Sequence, residues 1–176
     1  NFITEENNEG EIVVEANSPS IFLGYWDNEK ETNNKIINGW LHTGDYATFD
    51  SEGYFYFKGR KDDIINTSGY RVGPTEIENS ILSLNEVEMV AVIGVPDEVR
   101  GEIIKAIVVP KDKSIIKSSS IDLKKRIREH VKINLAAYEY PRLIEFKKDL
   151  PLTTTGKIKR NILRKDHLEE KYERKI

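Results

Sequence analysis

The apolar residues of this chain change their spacing near residue 60, and with it the secondary structure they predict. Before that point Glu11 to Ala16 (EIVVEA) lies between Gly10 and Asn17-Ser18-Pro19, and the aromatic run Gly53 to Lys58 (GYFYFK) follows the turn Asp50-Ser51-Glu52-Gly53. Both segments predict strands joined by turns, with little helix. Past residue 60 the periods mix. Pro74 suits a helix N-terminus, and Ile77, Ile81, Leu82 and Leu84 give that helix an apolar face ending near Asn85. Val90 to Val95 (VAVIGV) and Ile103 to Val109 (IIKAIVV) are apolar runs bounded by Pro96-Asp97 and Pro110, the pattern of strands covered on both faces. Ser119 and Asp122 have the spacing of a capping box, with Asp in the usual Glu place, ahead of a helix carrying Leu123, Ile127, Val131 and Leu135 on one side. Arg142 to Phe146 (RLIEF) predicts a further short strand, and the segment from about Asn161 to Tyr172 a charged helix. The fold class expected is α+β: a β-rich first piece, then a small domain with a short sheet and flanking helices.

Composition narrows the chemistry. The 176 residues suffice for one domain, or for one domain and part of another. A hydrophobic share of 38% and a charged share of 32% fit a globular protein, and no apolar run is long enough for a membrane span. Cysteine is absent, which removes disulfides, thiolate chemistry and Cys-based zinc sites, and the scattered His42, His130 and His167 suggest no metal site. The net charge of −3 is unevenly spread: residues 1–59 carry −8, residues 60–176 carry +5, and residues 111–176 alone carry +9. A basic late region suits polyphosphate ligands, and equally a solvated helix face.

The densest chemistry lies at residues 59–78, GRKDDIINTSGYRVGPTEIE, where cations, acids and two glycine turns are crowded between unlike pieces of chain. Arg60 and Arg71 each offer a planar fork suited to phosphate or ribose oxygens, or to a surface salt bridge with Asp62 or Asp63. Asp45 follows Gly44 at the end of an expected strand, where it could accept hydrogen bonds from vicinal hydroxyls or cap a turn. Lys157 follows Gly156 in the polar loop Thr153-Thr154-Thr155. The loop is not a Walker A motif, since the opening Gly is missing and Ile158 stands in the hydroxyl position that would hold magnesium.

The order of these pieces resembles a family. Trp40 to Asp45, the 59–78 run, GVPDEVRGE at 94–102, YEYPRLIEF at 138–146 and LPLTTTGKIKR at 150–160 are similar to the C-terminal part of the acyl-CoA synthetases, closest to the medium-chain members of the adenylate-forming superfamily. The resemblance implies that residues 1–59 are the β-rich end of a large N-terminal domain, residues 60–63 a hinge and residues 64–176 a mobile lid domain. It implies an enzyme that joins a small-molecule carboxylic acid to coenzyme A (CoA) by way of ATP, with Mg2+ bound mainly by ATP and the large domain; the sequence leaves the localisation unknown beyond an intracellular setting, cytoplasmic or mitochondrial matrix.

The residue roles it implies are specific. Asp45 and Arg60 hold the ribose of ATP, Arg71 contacts its phosphate, Asp62 is the pivot and Lys157 is catalytic; Ser68, Gly69, Tyr70, Arg100, Lys132, Tyr140, Pro141 and Arg142 contact CoA. Ala137 departs from the Pro that the family often has before the first Tyr of its Tyr-x-Tyr-Pro-Arg motif, here Tyr138, and nothing in residues 1–38 resembles the phosphate loop, adenine-binding motif or acyl pocket of these enzymes, so the chain alone is expected to be inactive and to need its own N-terminal domain. Two other readings stay open at this point: an amino-acid adenylating domain serving a carrier protein, and a nonenzymatic binding module. Nucleic acid is disfavoured as a partner because the basic residues are interleaved with acids and lack an aromatic platform.

Overall fold

The computed structural model describes residues 2–118 and 121–173, and the chain divides into two compact units, Asn1–Asp62 and Asp63–Ile176. The first unit holds β1 (Gly10–Glu15), α1 (Glu29–Lys35), β2 (Ile36–Ile37), β3 (Trp40–Phe49) and β4 (Phe55–Arg60). All pairing runs through β3, which takes β1 on one edge and shares its other edge between β2 and β4, each antiparallel. The helix α1 escapes the hydrophobic pattern because EKETNNK buries nothing; the Asn28 side chain caps it by accepting from the Glu31 amide. Asp45, placed by the sequence at a strand end, sits inside the ten-residue β3.

The second unit contains β5 (Ile65–Thr67), β6 (Tyr70–Val72), α2 (Pro74–Leu82), β7 (Val87–Asp97), β8 (Gly101–Pro110), α3 (Ser114–Ser118), α4 (Ile121–Asn134), β9 (Leu143–Phe146) and α5 (Arg160–Glu173). The expected α+β class holds, with mixed sheet and flanking helices. Along β8 one edge pairs with β7, while the other meets β5 at Gly101 and β9, in parallel, from Lys105 to Val108. Both long strands outrun the apolar stretches that announce them, since hydrogen bonding continues past the buried residues. Helix α2 stops at Ser83 rather than near Asn85, and Leu84 still packs against the core. Ser119 of the expected capping box lies outside the described residues.

Two layers of core follow from the period of two along β7 and β8. Val90, Val92, Ile104, Ala106 and Val108 face Ile77 and Ile81 of α2 and Leu123, Ile127 and Val131 of α4. The alternate residues Ala91, Ile93, Val95, Ile107 and Val109 pack with Leu150 and with Leu163 of α5. This double-sided sheet is the frame from which the functional loops project.

Candidate functional site

In the first unit, Asp45 and Arg60 are register partners across β3 and β4, and Arg60 Nη1 donates to Asp45 Oδ1 at 2.8 Å. Both side chains remain substantially exposed, so the pair contributes little stability but keeps a carboxylate and a guanidinium side by side and available. Gly44 permits the approach. Its φ is +78°, and a Cβ there would stand 3.1 Å from Arg60 Nη2. The strand around it is braced from β1: the Thr43 hydroxyl donates to the Ile12 carbonyl at 2.7 Å, while Glu11 accepts the Gly44 amide at 3.0 Å and pairs with His42 Nδ1 at 3.0 Å. Burial pushes the Glu11 carboxyl up, yet His42, the Gly44 amide and Lys61 together outweigh it and hold the group below the ordinary range. Sequence reading misses Glu11, because one acid in an alternating strand carries no signal of its partner. It also offers Asp62 or Asp63 as the partner of Arg60, whereas Asp45 fills that place.

In the second unit, Ser68 and Gly69 form the two-residue loop between β5 and β6, with φ of +51° and +84°. Two successive positive values are what a type I′ hairpin requires. The loop is pinned to the start of β8, since the Ser68 amide donates to the Arg100 carbonyl at 3.0 Å and Thr67 pairs with Gly101. The Tyr70 ring lies parallel to that of Tyr138 at 4.0 Å. Two cations flank the neighbouring ring: Lys132 Nζ is 4.4 Å and Arg142 Cζ 5.0 Å from the centroid of Tyr140. One turn earlier on α4, Arg128 donates to the carbonyls of Pro141 at 3.3 Å and Arg142 at 2.9 Å. Ser68, Gly69, Tyr70 and Arg100 thus form one group and Lys132, Tyr140, Pro141 and Arg142 another, joined by the tyrosine stack; Pro141 itself is buried and shapes the segment.

Lys157 stands on a separate turn. The Thr153 amide donates to the Lys157 carbonyl at 2.7 Å, the Lys157 amide to Thr153 Oγ1 at 3.0 Å, and Leu152 pairs with Ile158 at the base. Its side chain is exposed and, among the described residues, in no ion pair. Arg71 is exposed on β6, where it pairs by backbone with Asn66. Asp62 is exposed; Asp63, offered by the sequence as a surface partner for Arg60 or Arg71, is instead drawn in by Arg160 at 3.1 Å and Arg164 at 2.7 Å. Arg160 also reaches Glu78 at 2.7 Å. Among the described residues no three His, Asp or Glu converge as a metal site, and no helix is long and apolar enough to cross a membrane.

Residues 76–157 match the family model of the AMP-binding enzyme C-terminal domain, which makes the second unit a domain of that class. Curated relatives include a 4-hydroxybutyrate–CoA ligase of Metallosphaera sedula, 47% identical over 96% of this chain and 30% of its own length. The mitochondrial acyl-coenzyme A synthetase ACSM2 of Rattus norvegicus is 47% identical over 82% of this chain and 25% of its own length. Among solved structures, an anthranilate CoA ligase in complex with anthranoyl-AMP superposes with a TM-score of 0.79 at 35% identity, over 92% of this chain and 30% of that one. ATP-bound MatB from Rhodopseudomonas palustris gives a TM-score of 0.76 at 33% identity, over 93% of this chain and 31% of that one. The chain belongs to the acyl-CoA synthetase family of adenylate-forming enzymes and contains their C-terminal domain. It spans between a quarter and a third of the length of these relatives.

Proposed function

We propose that this chain is the C-terminal part of an AMP-forming acid–CoA ligase, with residues 1–59 completing a large N-terminal domain, 60–63 acting as hinge and 64–176 as a mobile lid. In the first step a carboxylate oxygen attacks the α-phosphorus of ATP, the bond to pyrophosphate breaks, and an acyl-adenylate forms. Two anions must meet, so a cation placed between them lowers the barrier. Lys157 supplies it, with Arg71 on the phosphate and the Asp45–Arg60 pair on the ribose hydroxyls. In the second step the thiol of CoA loses its proton and attacks the acyl carbonyl, and AMP leaves as a stable anion. That step needs no added cation, and rotation about Asp62 withdraws the lysine and presents the Ser68–Tyr70 and Tyr140–Arg142 surfaces. Arg100, Lys132 and Arg142 suit the phosphates of CoA by charge and reach. Magnesium is assigned mainly to ATP and the large domain, since Mg2+ is ordinarily held by substrate phosphates with one or two carboxylates.

The observation that carries this reading is the exposed Lys157 ammonium, held out on a turn whose own backbone bonds fix it while the side chain, among the described residues, makes no ion pair. A large domain as partner is supported by the apolar surface of the first unit, where Leu23 and Trp26 are 107% and 98% exposed. In the whole enzyme, Lys157→Ala is expected to lower adenylate formation by about a hundredfold or more while sparing thioester formation from supplied acyl-adenylate. Equal loss in both halves rejects the assigned role, as does an undiminished first step.

A further inference from the structure

Four charged side chains distant in sequence meet beneath the start of α5. Arg160 Nη1 donates to Asp63 Oδ2 at 3.1 Å, and its Nη2 donates to Glu78 Oε2 at 2.7 Å and Oε1 at 2.9 Å. Arg164 donates to the other Asp63 oxygen at 2.7 Å. Glu78 is buried, and its Oε1 also accepts the Val92 amide at 2.8 Å, which ties the cluster to β7. Two acids face two guanidinium groups, with the Asp63 and Glu78 side chains only 13% and 10% exposed. Breaking such a pair leaves a buried charge without its partner, so the arrangement is stiff.

Its position in the chain gives the stiffness a use. Asp63 is the first residue of the second unit, next to the exposed Asp62. Arg160 opens α5 three residues after Lys157, and the links between them are short: the Lys159 amide donates to the Pro151 carbonyl at 2.8 Å, and Ile158 pairs with Leu152. We propose that Arg160 is a positioning residue that joins the residue after the pivot to the Lys157 turn, so that the lysine follows the hinge as part of one rigid piece. The proposal rests on the functional reading above. The forked guanidinium is essential to it, because a lysine ammonium cannot span two carboxylates in fixed geometry. The fold does not depend on Arg160 alone, since Leu163 and Ile158 anchor the same region in the core with Leu150.

The test uses the whole enzyme and measures its two half-reactions separately, each per folded molecule as judged by circular dichroism. Arg160→Met is expected to reduce adenylate formation about a hundredfold, the effect of misplacing a reacting group by an ångström or so. Thioester formation from supplied acyl-adenylate is expected to change by less than about threefold, because the CoA-facing groups are held by the β5–β6 hairpin and α4 rather than by Arg160. Arg160→Lys should recover little of the first step. In the double variant Lys157→Ala/Arg160→Met, adenylate formation is expected to match Lys157→Ala alone within about twofold, as residues sharing one task do. Equal loss in both halves, or independent losses that multiply in the double variant, overturns the proposal. Should Arg160→Met fail to fold, Asp63→Asn removes one arm and is expected to give the same split with a smaller loss, about tenfold; an unsplit loss, or none, counts against the idea. If Lys157→Ala abolishes adenylation while Arg160→Met leaves it intact, only this inference falls; if Lys157→Ala leaves it intact, the functional reading falls.

Discussion

Lys105 gives the sharpest stability experiment. It sits in the middle of β8, 6% exposed, at a position where the strand's period of two predicts an apolar side chain facing α5. Its Nζ donates to Glu145 Oε2 on β9 at 2.7 Å and lies 3.1 Å from His167 Nδ1 on α5, so one ammonium ties three elements. Lys105→Met keeps the length of the side chain and removes the charge. Stripping one partner from a fully buried pair costs about 3–5 kcal/mol, but Glu145 is 29% exposed and keeps Lys147 at 3.6 Å, and a buried methionine restores apolar contact, so about 2 kcal/mol is expected here. Urea denaturation followed by far-ultraviolet circular dichroism measures this directly, with unchanged slope and a lowered midpoint.

The pH dependence of that loss tests its cause. Burial pushes the Glu145 carboxyl up, but the hydrogen bond and charge of Lys105, with Lys147, outweigh it and hold the carboxyl below its ordinary range. A depressed folded-state value means a contribution that is complete above the unfolded value, about pH 4.3, and fades as pH falls through the folded value. The difference between native protein and Lys105→Met is therefore expected to be largest near neutrality and to shrink below about pH 4.3. Adding Glu145→Leu should return stability to within about 1 kcal/mol of native, since two apolar groups need no pairing. A loss that is independent of pH, or a single variant as stable as the native protein, refutes the reasoning.

Two further outcomes are expected in the whole enzyme. Gly44→Ala places a Cβ at φ +78° and 3.1 Å from Arg60 Nη2, so it should cost about 1–2 kcal/mol in backbone strain and raise the KM for ATP by displacing the Asp45–Arg60 pair; an unchanged KM separates that pair from ribose binding. Asp62→Pro fixes φ at the proposed pivot and should slow thioester formation about tenfold more than adenylate formation, a split read from the two half-reactions; equal slowing of both argues against rotation there.

What the sequence reveals depends on how local its cause is. The runs VAVIGV and IIKAIVV announce β7 and β8 because burial on both faces leaves an unbroken apolar signature, and Pro74 marks the start of α2 because its missing amide is harmless there. The helix α1 leaves no such trace because none of its residues is buried, and β3 is legible only as far as Asp45 because Gly44 interrupts its side-chain pattern. Side-chain partnership is harder still. Lys105 breaks an apolar run, and only the fold brings Glu145 and His167 to it from 40 and 62 residues away. The same holds for Asp63, whose nearest cation in sequence is Lys61 but whose partners are Arg160 and Arg164. Long-range ion pairs specify themselves through geometry, since any acid can meet any base until the backbone has chosen. For that reason a motif can single out Lys157 as a candidate, while the residue proposed to aim it, Arg160, becomes visible only once α5 has docked against β7 and its first guanidinium reaches Glu78 of α2.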